Sequence, residues 1–136
     1  MALIKLKILK ALKAISITSY LLIILMGDMI GIPFVFWLFF NAFNFGELDQ
    51  LFAILGVGGV VWNIKTFHED RNLKNIFLDL LSFIFMLTPL VSRLVSVPIE
   101  LFNYLAFIIP ICLFVLLYLV SIGLSLSAYF KNKVAV

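Results

Sequence analysis

A chain of 136 residues that is 65% hydrophobic and only 12% charged lies outside the composition of soluble globular domains. With a mean hydropathy of +1.23, it has no stretch left for a soluble domain beside its apolar segments. The net charge of +3 comes from lysines set beside those segments, a pattern of membrane orientation and surface anchoring and not of nucleic-acid binding.

Residues 2–15 open the chain with an amphipathic pattern. In a helix Ile4, Ile8, Leu12 and Ile15 fall on one side, and Lys5, Lys7, Lys10 and Lys13 spread over the rest. That suits a helix lying in the anionic headgroup region. No small-x-small cleavage site follows, so the segment reads as retained and not as a signal peptide.

From Ala14 to Gly46 the chain is apolar almost without interruption. As one helix it would measure about 50 Å, against a hydrocarbon core of about 30 Å. The simplest division leaves its first residues in the interfacial helix and predicts a span over about 19–40, kinked at Pro33. A re-entrant segment broken at Gly31-Ile32-Pro33 is the alternative, and it changes the topology. Asp28 lies within this stretch, where an aspartate near the centre of a transmembrane helix costs roughly 2.5–3.5 kcal/mol. Such a group faces protein or water. Gly27 and Gly31 make a GxxxG step around it, a spacing that lets another helix approach closely.

Phe45–Asp49 is a short acidic turn. A second span follows over about 49–64, with Gly56 and Gly59 as helix-packing positions. The polar loop from Lys65 to Asn75 leads to a third span, about 76–95. There Asp79, Ser82, Met86, Pro89 and Arg93 share one helix face. Asp79 and Arg93 stand at opposite ends of it, and Asp49 and Glu100 are the acids on Arg93's side. A turn at Ser96–Glu100 precedes a fourth span, about 103–130, in which Ser121 and Ser125 form a small-xxx-small pair. The expected fold is an all-α, four-helix transmembrane bundle preceded by the interfacial helix.

Nine of the ten basic residues fall at the N-terminus, in the middle loop or in the tail; Arg93 is the exception. The positive-inside rule then puts both termini in the cytoplasm, and a bacterial inner membrane is the expected location.

Little in the sequence carries catalytic chemistry. His68 is the one histidine and Cys112 the one cysteine, so no Cys/His metal cluster and no internal disulfide is expected; Cys112 reads as a small packed residue. His68, Glu69, Asp70 and Arg71 have no nucleophile or phosphate loop in their company and read as a solvated loop. Trp37, Trp62, Tyr104 and Tyr129 stand near the predicted span ends, as aromatic belts do. No catalytic residue, cofactor or metal is expected.

Two small-transporter families share this size. The small multidrug resistance family carries a membrane-embedded glutamate in its first helix, which this chain lacks. Asn63-Ile64-Lys65-Thr66-Phe67 resembles the Asn/basic/Phe pattern after the second helix of GtrA-like lipid-carrier flippases, over those five residues only. The chain is assigned to neither. The function expected is that of a non-catalytic inner-membrane protein working through helix–helix association, as an accessory subunit or immunity-type protein. Its partners would be the bilayer and another membrane protein or a second copy. The alternative is a homo-oligomeric transporter or channel using Asp28.

Overall fold

The computed structural model describes residues 2–26, 30–69 and 72–134. Its elements run α1 (Ala2–Leu21), β1 (Ile24–Met26), β2 (Gly31–Pro33), α2 (Phe34–Ala42), α3 (Leu48–Lys65), α4 (Leu73–Ser96) and α5 (Leu105–Val134), with 3₁₀ turns at Thr66–His68 and Ile99–Phe102. All-α is the right class, with one short hairpin added. Leu48–His68, α4 and α5 are long and apolar enough to cross a membrane, as expected for a membrane protein. Their outer faces are apolar, with Ile54, Phe77 and Leu116 among the exposed side chains.

The helices pack in antiparallel pairs. On α3, Gly56 and Gly59 let the backbone close on α4: a Cβ on Gly59 would stand 2.8 Å from both the Ser82 carbonyl and Met86 Cγ, and one on Gly56 would stand 2.8 Å from Pro89 Cγ. Helix α1 runs against α5, with the Ser16 hydroxyl donating to the Phe114 carbonyl at 2.7 Å. Helix α2 runs back along α3, where the Gln50 amide donates to the Ala42 carbonyl at 3.2 Å. An aromatic column ties these pairs together. Phe34 meets Tyr20, Tyr20 meets Phe114, Phe114 meets Phe83 and Phe83 meets Tyr118, at centroid separations of 4.8 to 5.4 Å. Every ring in it is buried.

Two expectations about the first forty residues are corrected. Residues 2–15 are not a separate interfacial helix. They continue unbroken to Leu21, and the face turned inward on α5 is Leu9, Lys13, Ser16, Ile17 and Tyr20. Ile4, Ile8 and Ile15 point outward instead. The inward face mixes Lys13 and Ser16 with apolar side chains, while the outward face sets isoleucines beside Lys5 and Lys7, so the expected apolar side is not the one that is buried.

The span expected over about 19–40 is likewise not one kinked helix. It breaks between Leu21 and Phe34 into an antiparallel hairpin in which Ile24 faces Pro33 and Met26 faces Gly31. The cause is local. Proline removes an N–H and pushes the residue before it into extended backbone, so Ile32 becomes strand and Pro33 (φ −56°, ψ 140°) begins the next helix. Gly31 is therefore a strand residue, not one side of a helical GxxxG step. Gly27 and Asp28 lie outside the described residues.

The hairpin's open edge is closed by one side chain. The Tyr104 hydroxyl donates to the Ile24 carbonyl at 2.6 Å and accepts the Met26 N–H at 2.8 Å. Without it those backbone groups would be left unpaired in an apolar setting.

Gly58, beside the two packed glycines, has nothing within 4 Å of where a Cβ would stand. Gly58→Ala is expected to raise stability by about 0.5–1 kcal/mol through helix propensity. Gly59→Val is expected to lower it by about 1–3 kcal/mol or more through overpacking. Thermal unfolding of the two variants in detergent, side by side, reads both signs.

Candidate functional site

The interior polar groups gather where α1, α3, α4 and α5 meet. Lys13 is carried inward because Leu9, Ser16 and Tyr20, three or four residues from its position and one further turn away, occupy the same buried face of α1. Asp79 comes from α4, six residues in from Leu73 and so about 9 Å from that helix end. The Lys13 ammonium donates to Asp79 Oδ1 at 2.7 Å. Both residues are buried, Lys13 to 2% exposure and Asp79 to 7%.

Beside the pair stand Asn63 of α3 and Tyr118 of α5. The Tyr118 hydroxyl lies 2.6 Å from Asn63 Oδ1 and 3.0 Å from the Asp79 backbone carbonyl, either of which it can serve as donor. The Asn63 amide donates to the Gly59 carbonyl at 2.8 Å and approaches Met86 Sδ at 3.5 Å. Asn63 and Tyr118 are fully buried. Ser82, on the same face of α4 as Asp79, donates to the Leu78 carbonyl. Ser121 and Ser125 continue the buried stripe of α5 below Tyr118 and donate to the Tyr118 and Ser121 carbonyls. One ion pair and two polar side chains, Asn63 and Tyr118, thus join four helices in the buried interior. Chemically, the arrangement holds a charge pair and orients it.

A second charged cluster stands at the other end of α4. One nitrogen of the Arg93 guanidinium is 4.0 Å from Asp49 Oδ2, and its carbon is 5.3 Å from the Trp37 ring centroid. The Ser92 hydroxyl is 3.4 Å from Asp49 Oδ1. These groups are only half-buried, so the pairing is weak by comparison. Glu100, the other acid on that side, is exposed.

Of the residues singled out from sequence, Asp79, Ser82, Ser121 and Ser125 line the interior, Gly56 and Gly59 sit in the α3–α4 contact, and Arg93 stands apart from them. Asp28 and Gly27 lie outside the described residues, as does Asp70–Arg71 of the middle loop. His68 is exposed on its 3₁₀ turn. Cys112 is exposed on α5, a correction to the expectation that it is packed. Among the described residues no group of three His, Cys, Asp or Glu side chains is placed to hold a metal ion. Lys13, Asn63 and Tyr118 were missed. Their signal was spacing: Lys13, Ser16 and Tyr20, like Tyr118, Ser121 and Ser125, recur at i, i+3 and i+7, a polar stripe in an apolar helix.

Comparison with protein-family models, with curated proteins and with solved structures finds no match to this chain.

Asp79→Ala strands a buried ammonium and is expected to cost about 3–5 kcal/mol, whereas Lys13→Met with Asp79→Leu, which removes both charges, is expected to recover most of it. A double-mutant cycle on unfolding in detergent measures the difference. A double variant as unstable as Asp79→Ala alone would show that packing, not the stranded charge, sets the loss.

Proposed function

We propose that this chain is a single polytopic membrane domain, probing no substrate and performing no catalysis, that acts by helix–helix association with another membrane protein as an accessory subunit or immunity-type protein. The observation that carries the proposal is a groove of about 410 Å³ on the outer surface between α3 and α4. Gly58 lies on its floor, and Ile54, Leu55, Trp62, Leu81 and Phe85 line it. A glycine with open space above it, flanked by large apolar side chains, gives a neighbouring helix a place to seat a ridge. The hydrogen bonds of the buried polar residues run mainly between and within the helices, so they serve the bundle.

In this reading the chain crosses the bilayer four times, the first crossing made jointly by α1 and α2. Lys10 lies over the Phe67 ring, and Lys5 and Lys131 share one groove, so the two chain ends and the middle loop gather at one end of the molecule. With the basic residues concentrated there, that end is cytoplasmic and the membrane is the bacterial inner membrane.

A second reading keeps a transporter or channel built from several copies and using Asp28. It is favoured by one observation, the interruption of the helix on both sides of that residue, since broken helices often mark binding positions in transporters.

Mild-detergent purification from native membranes followed by intact-particle mass determination is expected to return a stoichiometric second protein, released by Gly58→Leu with the helical content unchanged. A homo-oligomer untouched by Gly58→Leu would refute the association reading. In that event proteoliposome flux should be abolished by Asp28→Asn, and undiminished flux would remove Asp28 from the mechanism.

A further inference from the structure

At the basic end of the molecule α1 and α5 leave a cleft of about 190 Å³ between them. Lys5 comes to it from α1 and Lys131 from α5, because the antiparallel pairing brings the first turns of one helix against the last turns of the other. Ser127, one turn before Lys131, adds a hydroxyl. Ile8, Leu9, Leu124 and Ala128 make the rest of the lining. Among the described residues that line the cleft there are two lysines and no carboxylate.

We infer that this cleft is a binding site for an anionic phospholipid. Two cationic side chains and a hydroxyl in the lining match a phosphodiester, which brings one negative charge and two non-bridging oxygens as acceptors. The volume corresponds to about six waters, enough for the phosphate group and the start of a chain. Ile8 and Leu124, in the lining and partly exposed, offer a surface for an acyl chain. Charge and shape therefore select a lipid with an anionic head over a zwitterionic one. The basic cleft between two helices at the membrane surface is a known setting for such heads. The inference uses the embedding of the chain in a bilayer and is independent of which protein it associates with.

The test uses the full chain in nanodiscs of phosphatidylcholine doped with phosphatidylglycerol, with native mass spectrometry counting the lipid that stays bound after release. Wild type is expected to retain one phosphatidylglycerol per chain in preference to phosphatidylcholine. Lys5→Gln with Lys131→Gln is expected to weaken retention at least about fivefold, whereas Lys65→Gln with Lys74→Gln, which removes the same charge elsewhere, keeps it. Ala128→Leu fills the cleft from the apolar side and should also evict the lipid, with helical content checked by circular dichroism. Equal loss in the two lysine pairs would overturn the inference in favour of diffuse surface charge. Displacement of the lipid by millimolar inorganic phosphate, with phosphate bound in its place, would overturn the lipid as the ligand.

Discussion

Lys13 and Asp79, 66 residues apart in sequence, meet at 2.7 Å in a largely apolar interior. Removing either leaves the other without this counter-charge in a medium that solvates charge poorly, at a cost of several kcal/mol. Together they fix the rotation of two helices. If α1 turned by a quarter, Lys13 would leave Asp79 and Leu12 or Ala14 would take its place. The same rotation would pull Ser16 from the Phe114 carbonyl and Tyr20 from its stack on Phe34 and Phe114. The charge pair therefore sets the register in which the aromatic column assembles. Asn63 and Tyr118 extend that control to α3 and α5 through short hydrogen bonds.

The break between α1 and α2 obeys the same economy of polar groups. A helix satisfies its own backbone, and an interrupted one does not. Among the described residues the interruption is closed in three ways. The two strands pair with each other, the Phe34 N–H reaches the Ile23 carbonyl at 2.7 Å, and Tyr104 caps the remaining edge. Pro33 sits opposite Ile24, whose carbonyl turns toward Tyr104, so the missing proline N–H is not called on there. A side chain at the start of α5 thus completes a backbone some eighty residues earlier.

The later two-thirds of the fold were legible in sequence, and the first third only partly. The spans over 49–64, 76–95 and 103–130 carry continuous hydropathy between polar loops, and α3, α4 and α5 lie over them within a few residues. The polar face of α4 was legible for the same reason, since Asp79, Ser82, Met86 and Pro89 recur at helical spacing. Residues 2–40 misled because hydropathy does not distinguish lipid from core. Four lysines beside isoleucines look like a surface helix, and only the tertiary partner Asp79 reveals that Lys13 points inward. Gly31-Ile32-Pro33 was recognised as a breaker, but the sequence alone did not distinguish a kink from a hairpin. That choice depends on Tyr104, which is distant in sequence.

The long separation of Lys13 from Asp79 bears on the order in which the molecule comes together. During synthesis α1 leaves the ribosome well before α4, carrying a cation whose counter-charge does not yet exist outside the tunnel. Until then the cheap place for its lysines is the headgroup layer, where its outward isoleucines also find apolar surface. The element made early is seated late, and its docking waits on a carboxylate three helices downstream.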